Sequence, residues 1–443
     1  MTAVAQRADW WRQQTASPPA PHLREAPGGR GPLWALLGFT LVLLIAPQAF
    51  FPVLAPMRLG MTAAGLALAA YLYDRFTRSL PVLILTRETW LALALLAWAL
   101  VTLPFSWWPM GSISFMLEIF AKSVIVFWLV GSVVTSPWRL AATACALSLM
   151  AIPLAVTAIK NQVGGIFLQP EVSASVKRIA GYDAPLTGNP NDLAAILNLI
   201  LPLTTALALG ARGALGRAVL WGLVALESMG VIATFSRAGF LTLGFVMMVY
   251  GWKLYRRGRL PWVLALVLML AMPLGPSGYL AHMSTITDVE ADSTGSSQQR
   301  WGLLVTAARF AATHPVVGTG IGLNVLAMNE GHAEVWREVH NAYLQYAVEL
   351  GLPGVALFVA LLGCCLARTR RAQDAARALE GGERLFLLAE GIQVSLLAYA
   401  LTAMFHPLAY HFHFYYFAGL AVGLGAATPM RPASRARDAA RAA

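Results

Sequence analysis

Four side chains sit where a mostly apolar chain has least use for them: Arg178, Arg237, Arg300 and His340. An arginine stays charged and presents a fixed fork of donors suited to an anion, while a neutral imidazole accepts a proton. Arg237 lies in Thr234-Phe235-Ser236-Arg237-Ala238-Gly239, where one apolar run ends and the next begins. Ser236 is placed to cap the new helix, which leaves Arg237 in its first turn, where the dipole favours an anion over a cation. A bound anion resolves that conflict; an arginine reaching to lipid headgroups is the alternative.

Arg300 follows Ser296-Ser297-Gln298-Gln299 and opens a segment in which Trp301, Leu304, Val305 and Ala308 recur at helical spacing. This predicts an amphipathic helix on the outer membrane surface, with Arg300 at its amino end as an anion ligand or a headgroup anchor. Arg178, with Lys177, precedes the turn-rich run Gly188-Asn189-Pro190-Asn191-Asp192, whose last residues are suited to cap a helix. His340 stands just before an apolar run, followed by Asn341 and Tyr343. Close to a helix amino end and to arginines it is expected in its neutral form, as a general base or as an interfacial histidine with a structural hydrogen bond.

The elements that must position these residues are membrane spans. The chain has 443 residues, is 58% hydrophobic and only 12% charged, with a mean hydropathy of +0.63. Too little polar surface exists to cover a water-soluble globule, so the chain reads as an all-α polytopic membrane protein. Twelve runs approach the roughly 20 apolar residues that a bilayer requires: about 33–50, 52–73, 88–104, 114–134, 138–159, 191–210, 216–235, 238–254, 260–275, 341–366, 385–405 and 409–427. They divide the chain into a cytoplasmic tail (1–32), nine helices (33–275), a long periplasmic loop with short helices (276–340), three helices (341–427) and a second cytoplasmic tail (428–443).

Charge orients this layout. With the amino terminus inside, most of the 32 lysines and arginines fall on the inner side. Only Lys160, Lys177, Arg178, Arg237, Arg300, Arg309 and Arg337 fall outside. The positive-inside rule then makes both termini cytoplasmic. The net charge of +11 thus speaks for membrane lipids as partners and against nucleic acid. Cys145, Cys364 and Cys365 lie within apolar runs, which leaves no disulfide framework.

Other motifs carry less. Gly318-Thr319-Gly320-Ile321-Gly322 looks like a phosphate-cradling loop, but no strand precedes it, and a flexible loop is the simpler reading. His406, His411 and His413, among Tyr410, Phe412, Phe414, Tyr415 and Tyr416, read as an aromatic interface belt rather than a metal site. Glu118 and Lys122 can pair inside the bundle; with Glu227 they are the support for an ion-coupled transporter.

The stretches Thr234–Arg237, Arg300-Trp301 with His314-Pro315 and Gly318–Gly320, and His340-Asn341-Ala342-Tyr343-Leu344 with Glu349–Gly354 resemble the O-antigen ligase and polymerase superfamily, in the expected order. Gly188-Asn189-Pro190-Asn191 adds a fourth similar motif. The resemblance implies a GT-C-like glycosyltransferase of the bacterial inner membrane that takes a glycan from undecaprenyl diphosphate on the periplasmic face, with no cofactor and no metal. In the ligase branch the acceptor is the lipid A–core oligosaccharide. It further implies that Arg237, Arg300 and Arg178 bind the diphosphate and that His340 is essential, with Ser236, Asn341 and Tyr343 in support. A polymerase or a protein O-oligosaccharyltransferase would use the same donor, and a transporter of lipid-linked glycan is the alternative from another class.

Overall fold

The computed structural model describes residues 28–167, 179–258, 296–329 and 338–428, with side chains from 301 onward in the third stretch. The chain forms α1 (Gly31–Ile45), α2 (Leu59–Thr77), α3 (Arg87–Thr102), α4 (Pro109–Val133), α5 (Pro137–Val163), α6 (Pro190–Gly210), α7 (Ala214–Ala233), α8 (Arg237–Arg256), α9 (Ser296–Thr313), α10 (Asn324–Met328), α11 (Ala342–Arg377), α12 (Glu383–Thr402) and α13 (Phe412–Ala427). Among the described residues there is no strand, only an isolated bridge between Phe167 and Ile179. Eight helices, α3 to α8 with α11 and α12, are long and apolar enough to cross a membrane; α1 and α13 are apolar but shorter. Every expected span has a helix at its place except 260–275, which lies outside the described residues. The second begins late, because Pro52–Met57 winds as a 3-10 turn before α2 starts at Leu59.

The interior is built on α6, α12 and α13. α6 packs on α5, α7 and α12, while α13 lies against α4 and α11. Between apolar helices in lipid, close approach and dispersion replace the hydrophobic driving force, so small residues mark the contacts. A Cβ at Gly423 of α13 would lie 2.3 Å from the Val134 carbonyl oxygen, so the two backbones pass too closely for any side chain.

This burial corrects the belt expectation. Tyr410, Phe414, Tyr415 and Tyr416 are all 0% exposed and Phe412 only 8%. A belt needs lipid-facing rings, and α13 has neighbours on too many sides to offer them.

A second correction concerns α4, which contains a π turn at Met116–Phe120. There Glu118 and Lys122 are both exposed, and Glu118 accepts a hydrogen bond from Ser114 Oγ at 3.0 Å. They do not pair inside the bundle. Glu227, by contrast, is fully buried and accepts a hydrogen bond from Thr204 Oγ1 at 2.7 Å.

At one end of the bundle the basic residues gather with their counter-charges. Arg368 meets Glu88 at 2.6 Å, Lys253 and Arg257 meet Glu390 at 2.9 and 2.6 Å, and Arg139 donates to the carbonyls of Gly28 and Gly29. The other end holds the cleft.

Candidate functional site

Four helices begin around one cleft of about 260 Å³. Local chemistry explains why three of them start there. Asn189 caps α6, its Oδ1 accepting the Asn191 N–H at 2.8 Å, with Pro190 in the first position. Phe235, at φ 52°, reverses the chain in the left-handed region, and Ser236 then caps α8 by accepting the Gly239 N–H at 3.1 Å. Asn341 caps α11 through the Leu344 N–H at 3.0 Å, and its Nδ2 donates to the Met404 carbonyl at 3.1 Å. His411 precedes α13 with no side-chain cap.

The amino ends of α6, α8, α11 and α13 therefore point their positive dipole ends at one space, each worth roughly half an elementary charge. Into it project Arg237, His340, Asp192, Glu338, His406, His411 and His413, beside Asn189, Asn191 and Phe405. His340 Nδ1 lies 3.0 Å from the Glu338 carbonyl oxygen. An N–H on Nδ1 donates there, and in that tautomer Nε2 is the basic nitrogen. Opposite, His406 Nε2 lies 3.4 Å from Asp192 Oδ1. Loss of solvent in the cleft raises the Glu338 carboxyl above its ordinary range and lowers the His411 imidazole below its own. Such a space sets an arginine fork suited to an anion and an imidazole that accepts a proton within the same walls.

Of the residues expected at a site, the fold brings Arg237 and His340 into the cleft, with Ser236 and Asn341 as the caps that fix them. Tyr343 does not line it; its hydroxyl donates to the Ala400 carbonyl at 2.9 Å and ties α11 to α12. Arg178 lies outside the described residues, and so does the Arg300 side chain, although Arg300 falls on α9. α9 packs on the protein through another side, Leu303, Ala307 and Phe310 lying against Val339, Leu344 and Val348, while Trp301 is 68% exposed. Three groups that the sequence reading set aside, His406, His411 and His413, line the cleft. Their clustering around the start of the last span, beside Pro407, was the available signal.

The glycine loop is neither a phosphate cradle nor a flexible link. The Thr319 and Gly320 N–H groups donate to the Val348 and Glu349 carbonyls at 2.9 and 3.1 Å, and a Cβ at Gly318 would lie 1.9 Å from the Val348 oxygen. Gly351, at φ 70°, breaks α11 there and lets the 315–320 segment lie along it. Among the described residues, no group of three or more His, Cys, Asp or Glu is placed to hold a metal ion.

Fold and cleft together define a polytopic all-α membrane protein whose polar site lies at the converging amino ends of its helices. Residues 222–359 match the family model described as O-antigen ligase, and this segment supports an assignment to that family. No curated protein matches the chain. The matched segment contains Arg237, Arg300 and His340 and ends before the histidines at 406–413. The match supports an enzyme of the O-antigen ligase or polymerase type in lipopolysaccharide biosynthesis, and with the apolar helices it suggests a multi-pass inner-membrane protein.

Proposed function

We propose that this protein is an O-antigen ligase that transfers a glycan from undecaprenyl diphosphate to a lipid A–core oligosaccharide on the periplasmic face of the inner membrane, both of its termini being cytoplasmic. The observation that carries this is the meeting of Arg237 and His340 in one cleft at four helix amino ends. The polyprenyl tail lies against the lipid-facing helices, and Arg237, Arg300 and Arg178 hold the diphosphate. His340 takes the proton from an acceptor sugar hydroxyl through Nε2, and that oxygen attacks the anomeric carbon as undecaprenyl diphosphate departs. A single displacement inverts the anomeric centre. Charge growing on the leaving diphosphate is met by the arginines and the helix dipoles, so the reaction needs neither metal nor nucleotide.

Glycan transfer by the purified protein from a synthetic undecaprenyl diphosphate donor to rough lipopolysaccharide, with EDTA present, tests this for wild type and His340→Ala. Product from the wild type alone supports the reading. Lengthening of lipid-linked chains in its place means a polymerase, and neither product rules out both.

A further inference from the structure

What holds the His340 imidazole begins at a buried carboxylate well away from the cleft. Glu349, in the first part of α11, is 0% exposed. Its Oε1 accepts the Asn324 N–H at 3.2 Å and Asn324 Nδ2 at 2.6 Å, and its Oε2 accepts the Gly322 N–H at 2.8 Å. These partners all donate, the arrangement an ionised carboxylate takes. Asn324 then turns outward: its Oδ1 accepts the Val339 N–H at 2.9 Å. That N–H belongs to the peptide group whose carbonyl is Glu338's, and it is this carbonyl that lies 3.0 Å from His340 Nδ1. The three bonds run head to tail, so each polarises the next.

We infer that Glu349 is the orienting carboxylate of His340, acting through the Asn324 amide and the Glu338–Val339 peptide. The chain fixes the proton on Nδ1, makes Nε2 the basic nitrogen of a residue that lines the cleft and favours the imidazolium that forms when it takes a proton. A carboxylate bonded directly to a catalytic histidine does the same work at shorter range. Glu349 does not line the cleft, so it is a positioning residue that substrate does not touch. Arg237, Asp192, Glu338, His406, His411 and His413 line the cleft with the imidazole itself. The relay is held from behind: Ser112 Oγ donates to the Ile321 carbonyl at 2.9 Å, and a Cβ at Gly322 would lie 2.3 Å from the Phe115 ring. The glycines that resembled a phosphate loop instead bring N–H groups to Glu349.

The inference rests on His340 as the base, and the experiment separates the two. Glu349→Gln keeps the volume but puts a donor among donors. In the transfer assay, corrected for folded protein by size-exclusion chromatography, kcat should fall at least about tenfold with the donor KM unchanged. The acid limb of kcat against pH should move to lower pH, because a carboxylate no longer favours the imidazolium. Asn324→Ser, which keeps the Glu349 side chain but removes the amide that joins it to the Val339 N–H, should move the limb the same way and serves if the first variant does not accumulate. An unmoved limb and unchanged kcat per folded molecule in these variants, with His340→Ala inactive, overturns the relay and leaves the base in place. Full activity in His340→Ala overturns both.

Discussion

Ser236 Oγ donates to Asn191 Oδ1 at 2.7 Å while accepting the Gly239 N–H at 3.1 Å, so one hydroxyl joins the amino ends of α6 and α8. Arg237 is the next residue, and its place in the cleft depends on that joint. Ser236→Ala should cost about 1–2 kcal/mol, the loss of a cap and a buried hydrogen bond. It should also raise the donor KM more than it lowers kcat, whereas Ser236→Thr keeps the hydroxyl and stays near wild type. Thermal unfolding in detergent with initial rates checks both, and equal KM values in Ala and Thr variants would remove the joint from the account.

Charge alone does not reproduce what Arg237 offers. Lysine is a compact point charge without the planar fork that meets two phosphate oxygens at once. Arg237→Lys is therefore expected to lower kcat/KM for the diphosphate donor at least about tenfold. Arg217→Lys, an exposed site at the other end of the bundle, should leave it unchanged. Wild-type kinetics in Arg237→Lys would mean that the arginine does not grip the donor.

Two glycines near each other in sequence should respond oppositely. Gly318→Ala sets a methyl 1.9 Å from the Val348 carbonyl oxygen, an overlap with backbone that should cost about 3 kcal/mol or more. Gly302, on the exposed side of α9, has nothing within 4 Å of the position a Cβ would take, so Gly302→Ala should stabilise by up to about 1 kcal/mol. Unfolding midpoints decide, and a stable, active Gly318→Ala protein would restore the flexible-loop reading.

Burial sets the sign of one pH effect. His411 is held below its ordinary value of 6.5, so below that pH the unfolded chain binds a proton that the native cleft resists. Stability is thereby lost as pH falls through about 6.5 toward the depressed native value, below which the loss is complete. His411→Gln should flatten the fall in unfolding temperature between about pH 7.5 and about pH 5, on either side of that value. Parallel profiles for wild type and variant would show that His411 titrates normally.

The described spans, their order and the Ser236 cap were legible in the sequence because each follows from local physics. A run of about 20 apolar residues has one stable form in a bilayer, and Ser236 caps the helix that follows it, whereas α6 is capped by Asn189 and not by the Asn191 or Asp192 that ends the turn-rich run. The same local reasoning singled out Arg237 and His340, since a charge or an imidazole at a span end is conspicuous.

What local pattern cannot carry is who faces whom. His406, His411 and His413 have the composition of a membrane belt, and only the seating of α13 among α4, α11 and α12 turns them into a cleft wall. Likewise Glu349 in an apolar run looks like an isolated cost. Its three donors and its line to His340 exist only because Gly351 breaks α11 and a glycine loop passes close enough to reach it. Side-chain type and spacing set each helix and its ends; the converging helix ends, and the hydrogen bonds between segments distant in sequence, were decided by packing.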